Sequence, residues 1–240
     1  MTEADGIEQP TLRPFLSAYL VEFVRDAYRR CLDERPKVIE PYITEDNHTS
    51  QYAIEAYILS VASAEAFLNE TIGIAKETRK LQGILTEWIE DLEIRKKVLL
   101  VPVLLWNRTF DRGSDPFQSF DVLVRLRNDC VHYKWSSSLI RGTAYLRDLE
   151  SKGVLLPGKA GFKFYSLMTA KGALWAHNTV CRLVNRAAEL GEYDRRIFGL
   201  RYEAFKEISA NYWREYMETR NVEALAKEIV DHAIPPAKST

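Results

Sequence analysis

The sequence is poor in cysteine and has no closely spaced pair. Cys31, Cys130 and Cys181 lie far apart, and no CxxC motif is present. Zinc sites and disulfide frameworks need several cysteines at short, recurring spacings. The pattern therefore argues against both, and we expect reduced, mostly buried thiols in a cytoplasmic protein.

Long apolar runs are also missing. The most apolar run, VLLVPVLLW at 98–106, has nine residues, whereas a membrane helix needs about 20. The segment MTEADGIEQP at 1–10 is acidic and lacks the apolar core of a signal peptide. We therefore expect a cytoplasmic protein with no membrane contact.

The chain has no strong charge of either sign. It carries 33 basic and 34 acidic residues, which gives a net charge of −1. No long-range field attracts nucleic acid, so any RNA contact has to come from a local basic cluster or a groove. No Walker loop, GxGxxG, GxSxG, HExxH or calcium loop is present. His177 has no ligand-like neighbour and is expected to be a surface or packing residue, and we predict neither a metal nor a cofactor.

Helical periodicity is what the sequence does have. At 240 residues with 46% hydrophobic content, the chain can bury a substantial core. Apolar residues recurring every three or four positions predict an all-α fold. The predicted helices cover 11–33, 51–77, 81–100, 116–135, 143–151, 170–190, 202–218 and 221–233. The alternating pattern around two glycine-containing turns at 152–167 predicts a small β-hairpin near 153–167. With 1–10 and 234–240 expected to be disordered, 11–233 forms a single helical domain.

Local signals predict where several helices begin and end. The polar stretch TEDNHTS at 44–50 predicts a loop. Pro102 is expected to end or kink the helix at 81–100. Ser114 or Asp115 should cap the helix that starts at Pro116, and Thr169 should cap the long helix ending near Leu190.

Two charges lie where apolar side chains are expected. Glu65 completes the apolar stripe on helix 51–77 formed by Ile54, Ile58, Val61, Leu68 and Ile72. On a helical wheel, Arg127 lies among Phe120, Leu123, Val124, Cys130 and Val131. An isolated buried charge is too costly to keep. Arg127 must therefore be paired or open into a cleft, and Glu65 is the strongest candidate partner.

The second charge belongs to the stretch LRNDCVHYK at 126–134, near the predicted end of its helix. At about 100° per residue, Arg127 and His132 point about 140° apart. One protomer would have difficulty directing both at a single phosphate, and a site shared by two protomers relieves this difficulty. Asn128 and His132 are neighbours one turn apart on the polar face.

The run Arg127-Asn128-Asp129-Cys130-Val131-His132 resembles the R-x(4–6)-H signature of HEPN (higher eukaryote and prokaryote nucleotide-binding) domains, and AEAFLNE in the preceding long helix is similar to members of this superfamily. The resemblance covers about residues 50–190. It implies an up-down helical bundle, to which the remaining N- and C-terminal helices are additions. It also implies a homodimer in which the motifs of two protomers meet.

Many HEPN proteins are metal-independent endoribonucleases that act as toxins or in phage defence, so the resemblance implies RNA as substrate and a cognate antitoxin or regulator as a further partner. Arg127, His132 and Asn128 would then be catalytic. Glu65, Asp129 and Tyr133 would support them, and Arg125, Lys134 and Arg141 would bind RNA.

The residues leave a second account open. Many HEPN proteins lack activity, and this chain could be a non-catalytic nucleotide-binding, protein-interaction or dimerisation module. In that account a Glu65–Arg127 salt bridge joins two core helices and His132 only ends its helix.

Overall fold

The regular structure in the described part of the chain is helical. A computed structural model describes residues 15–33, 48–78, 80–81, 83–132, 144–155, 169–198 and 201–209. These residues form the helices α1 Leu16–Asp33, α2 His48–Glu77, α3 Gly83–Glu90, α4 Ile94–Trp106, α5 Phe117–Val131, α6 Ala144–Ser151, α7 Ala170–Leu190 and α8 Arg195–Phe198, and a 3₁₀ helix at Arg201–Ala204. They contain no β-strand, which confirms the all-α prediction.

Helix α2 lies at the centre of the packing. It contacts α1, α3, α4, α5, α7 and α8. Small buried side chains on several of its faces allow this close approach, including Ala53, Ala56, Ser60, Ser63 and Ala64. A helix buried on many sides loses the apolar-polar contrast of a surface helix. The outer helices α1 and α7 keep that contrast, and each buries one face against α2.

The segment predicted as one helix at 81–100 is two helices. Glu93 has an extended backbone (ψ 140°) that separates α3 from α4. Pro102 does not end α4, which continues to Trp106. Proline lacks the N–H that would bond the carbonyl four residues earlier, and α4 continues past this missing bond. The helix ends at Asn107, which has a left-handed conformation (φ 53°). The Asn107 N–H bonds the Val103 carbonyl, and the Arg108 N–H bonds the Pro102 carbonyl.

Other helix ends agree with the sequence in part. Thr169 caps α7 as predicted, because its hydroxyl accepts the Gly172 N–H at 2.9 Å. Residues 48–50, predicted as loop, form the first turn of α2. The cap of α5 falls on Pro116, and neither Ser114 nor Asp115 occupies that position.

The chain forms two compact units, Met1–Lys206 and Glu207–Thr240. The helix predicted at 202–218 is wrong in its described part, because 201–204 form a 3₁₀ helix and 205–209 are not helical. Residues 156–167 of the predicted hairpin and the helix predicted at 221–233 lie outside the described residues, as do 1–10 and 234–240.

Candidate functional site at the end of α5

Helix α5 places the RNDCVH motif at the rim of the core. Its buried face consists of Phe120, Leu123, Val124 and Leu126, which agrees with the wheel except at Cys130 and Val131. This face packs against α2 and α7. The last turn leaves the core: Arg127, Asn128, Asp129 and Cys130 are half-buried, and Val131 and His132 are exposed.

His132 is the C-terminal cap residue of α5. Its own backbone is no longer helical (φ −108°, ψ 41°), but its N–H still bonds the Asn128 carbonyl at 2.8 Å. The N–H of His132 therefore still takes part in the hydrogen bonding of α5, although its φ departs from the helical value. The imidazole is exposed, so a ligand in solution can reach it. Imidazole is the side chain suited to exchanging protons near neutral pH.

Arg127 does not form the predicted ion pair with Glu65. Among the residues that the structure describes, its guanidinium has no ion pair or hydrogen bond. The side chain is half-buried, so water reaches part of it and a buried counterion is not required. Of the two arrangements expected for Arg127, paired or open to a cleft, the pair with Glu65 is wrong.

Glu65 instead pairs with Lys97 on α4. The Lys97 ammonium lies 3.4 Å from Glu65 Oε1 and 3.0 Å from Asn69 Oδ1. The Lys97 side chain is only 2% exposed, whereas that of Glu65 is 37% exposed. A buried ammonium requires such partners. The signal for Lys97 was present in the sequence, since it shares the apolar face of α4 with Ile94, Val98 and Val101.

The proposed RNA-binding residues are only partly described. Arg125 is exposed, and its guanidinium lies 2.6 Å from Asp121 one turn earlier. Asp121 also forms an ion pair with Arg95 of α4, whose Nε lies 3.1 Å from Asp121 Oδ1. Tyr133, Lys134 and Arg141 lie outside the described residues. Arg95 and Arg125 therefore share one carboxylate at α5.

The three cysteines are free thiols. Cys31 and Cys181 are buried, and Cys130 is half-buried beside the motif. Burial, with a smaller effect of the Asp129 carboxylate, raises the pKa of Cys130 to about 12. A thiol with this pKa is a poor nucleophile at neutral pH, so Cys130 is not suited to nucleophilic chemistry. The described residues hold no cluster of side chains suited to a metal ion.

No family model, curated protein or solved structure matches the chain.

Arg201, which the sequence analysis did not single out, is the most deeply buried charge among the described residues. The Arg201 side chain is fully buried; it lies 3.2 Å from Glu70 Oε2 and donates to Thr71 Oγ1 at 2.8 Å and to the Ile197 carbonyl at 2.7 Å. Its guanidinium also lies 4.7 Å from the centre of the Phe67 ring. Burial lowers the pKa of Arg201 to about 10, and Glu70 opposes this shift.

The partners of Arg201 identify its role. Glu70 also accepts the backbone N–H and the hydroxyl of Ser17, at 2.9 and 2.6 Å, in the first turn of α1. Arg201 and Glu70 together thus join α1, α2 and α8. This is a packing role, and it needs no ligand.

Helix α2 is long and apolar enough over Gln51–Glu77 to cross a membrane, by length and composition alone. Half of its most apolar window is buried inside the fold. A soluble core helix has the same properties.

Proposed function

We propose that this chain is a metal-independent endoribonuclease of the HEPN type. The observation that carries the proposal is the end of α5, where an exposed imidazole, His132, follows a guanidinium, Arg127, that no described carboxylate neutralises. A half-buried arginine with no described partner suits an anion from solution, and a phosphodiester presents two non-bridging oxygens that its fork binds.

The reaction is an in-line attack of an RNA 2′-hydroxyl on the adjacent phosphorus. One His132 imidazole removes the hydroxyl proton, and an imidazolium protonates the departing 5′-oxygen. Arg127 stabilises the charge that develops on the phosphoryl oxygens, and Asn128 orients the imidazole or the phosphate. The products are a 2′,3′-cyclic phosphate and a 5′-hydroxyl. Two protomers supply the two imidazoles, which the separation of about 140° between Arg127 and His132 favours.

Other residues near the motif have supporting roles in the proposed reaction. Arg125, Lys134 and Arg141 bind the RNA backbone, and Asp129 and Tyr133 support the motif. Glu65 has an indirect role, because its partner is Lys97. The biological setting that we propose is toxin–antitoxin or phage defence in the cytoplasm, where a cognate antitoxin or regulator restrains the activity.

The test is RNA cleavage by the purified chain in EDTA, compared with His132→Ala. The exposed imidazole makes no hydrogen bond through its ring with a described residue, so the substitution should leave the melting temperature nearly unchanged. General acid–base catalysis contributes about 10²–10⁴-fold, and cleavage should fall by at least that factor. Intact RNA with folded wild-type protein would exclude the endoribonuclease.

A second candidate is a non-catalytic protein-interaction or dimerisation module. It is favoured by α1, where Leu16, Tyr19 and Phe23 lie on one face and are 58%, 56% and 54% exposed. Grouped exposed apolar residues often mark an interaction surface. If this is the function, Phe23→Asp should abolish association measured by analytical ultracentrifugation, while His132→Ala changes nothing measurable.

A further inference from the structure

A groove lined by both polar and apolar side chains lies at the opposite end of α5 from the motif. It has a volume of about 310 Å³ and is lined by Arg112, Phe117, Gln118, Asp121 and Val122. This volume is at the lower end of the range for ligand sites, roughly 300–1,000 Å³. The groove thus has room for one small group and not for a folded partner.

Three side chains in the groove have no partner among the described residues. Arg112 and Gln118 are exposed and make no side-chain hydrogen bond or ion pair there, and the half-buried Phe117 ring stacks on no other ring. They offer a cation, an amide that both donates and accepts, and a flat apolar face. An unpaired nucleobase with its phosphate requires this combination: stacking, an edge hydrogen bond and a charge partner.

The remaining charge in the groove is already compensated. Asp121 lies 3.1 Å from Arg95 and 2.6 Å from Arg125, so its carboxylate does not repel a phosphate as a free one would. An acidic peptide would use Arg112 but would gain little from the Phe117 ring and the Gln118 amide. Nucleic acid is therefore the better match.

A continuous polar stripe joins the groove to the motif. Gln118, Asp121, Arg125, Asn128 and His132 follow one another at three- and four-residue spacing, and so lie on one face of α5. From Gln118 to His132 the helix rises about 21 Å, at about 1.5 Å per residue. A stacked strand that rises about 3.4 Å per nucleotide covers this length with about six nucleotides, and an extended strand with fewer.

We propose that the groove is a subsite for an unpaired base of single-stranded RNA, a few nucleotides away from the phosphate at the motif. Phe117 stacks on the base, Gln118 hydrogen-bonds its edge, and Arg112 pairs with the adjoining phosphate. This inference rests on the proposed function, because RNA has to be the ligand. It adds a preference for single strands and a minimum length for the substrate.

The experiment measures RNA binding separately from cleavage. The full-length His132→Ala protein in EDTA is titrated into a fluorescein-labelled single-stranded RNA of about 12 nucleotides, twice the length of the stripe, and anisotropy gives the Kd. Added to this background, Phe117→Leu keeps an apolar side chain but removes the flat ring, and Arg112→Gln removes the cation. Each should weaken binding about tenfold. Arg108→Gln is the matched control, because Arg108 lies in the same loop but pairs with Glu192.

Further probes separate the possible ligands. A duplex of the same sequence and an RNA of about three nucleotides, too short for the stripe, should both bind at least tenfold more weakly. Equal Kd values for Arg112→Gln, Phe117→Leu and Arg108→Gln would overturn the subsite. So would displacement of the RNA by poly-glutamate at equal or lower concentration, because the groove would then be an acidic-peptide site.

The subsite and the endoribonuclease can fail independently. If the protein with His132 unchanged cleaves RNA, and Arg112→Gln and Phe117→Leu cleave and bind like Arg108→Gln, the subsite is wrong and the endoribonuclease stands. If that chain binds single-stranded RNA through the groove without cleaving it, the subsite stands and the endoribonuclease is wrong.

Discussion

The Arg201 guanidinium is buried away from water, and five protein groups contact it instead. Glu70, Thr71 and two carbonyl oxygens of α8 surround its guanidinium, and the Phe67 ring covers one face. Without the cation, Glu70 would keep only its hydrogen bonds to Ser17, and Thr71 and the two carbonyls would each lose a donor. A buried charge pair broken from one side is costly even where the intact pair contributes little.

Arg201→Met tests this at a similar side-chain volume. We expect the free energy of unfolding, measured in urea, to fall by about 3 kcal/mol or more. Arg108→Met removes an exposed arginine from its pair with Glu192 and should cost less than about 1 kcal/mol. Similar losses for the two variants would contradict a special role for the buried cation.

His177 links stability to pH. It is fully buried on α7, near the Cys181 thiol and the Asn178 amide of its own helix and Arg25 and Glu22 of α1. Desolvation by burial lowers its pKa from 6.5 to about 4. Between these values the unfolded chain binds the proton and the folded chain does not, so stability rises with pH across this window and is lost as the pH falls.

The loss attributable to His177 is up to about 3 kcal/mol at pH 4. His177→Gln removes the titration but keeps a polar side chain. Urea unfolding of both proteins from pH 7.5 to 4 should give a shallower fall in stability for the variant below pH 6.5. Parallel curves would mean that His177 is protonated without cost in the folded protein.

At the scale of the helices, close approach at Gly172 fixes how α7 begins. A Cβ at this position would overlap Tyr57 Oη on α2 and lie 2.6 Å from the carbonyl oxygen of Val154. Neither neighbour can move easily, because Tyr57 is fully buried and the other atom belongs to the backbone. Glycine here therefore sets the distance between α2 and α7.

Gly172→Ala should destabilise the protein by about 1–3 kcal/mol, the usual cost of overpacking. Gly73 on α2 is the matched control, because a Cβ there would meet no atom within 4 Å. Gly73→Ala should stabilise the helix by up to about 1 kcal/mol through its higher helix propensity. Thermal unfolding of the two variants should therefore shift in opposite directions.

Local signals in the sequence predicted more of the fold than of the candidate site. The Thr169 cap depends only on neighbours along the chain and was predicted correctly. The apolar face of α5 was predicted in part, because Cys130 at its end is only half-buried. Of the two outcomes expected at Pro102, an end or a kink, the end is wrong, because the helix ends five residues later at the left-handed Asn107. The partner of Glu65 was wrong because Lys97 becomes its neighbour only through the packing of α4 on α2. The place of His132 at the helix end was predictable, but the pairing of distant charges was not.

At the scale of the whole molecule, residues 1–206 form one of the two compact units. The end of this unit is fixed internally: Asn185 donates to the Phe205 carbonyl at 3.1 Å, and Phe205 packs edge-on against Phe67 with ring centres 5.5 Å apart. Contacts of this kind tie the last residues of the unit to α7 and α2.

A chain ending at Lys206 should therefore fold with a single cooperative transition, as monitored by circular dichroism. A chain ending at Leu200 loses Arg201 and Phe205, and each of these losses alone costs about 3 kcal/mol or more. It should be largely unfolded under the same conditions. A folded chain ending at Leu200 would show that neither residue is needed.

The central place of α2 has a consequence for hydrogen exchange. Six other helices pack on it, so no part of its middle can open to solvent while its neighbours stay in place. Amide protons around Ser60–Ala64 should exchange with deuterium only through complete unfolding, whereas those of α6 exchange through local opening. The slowest amides of α2 would then report the global free energy of unfolding in native buffer, without denaturant.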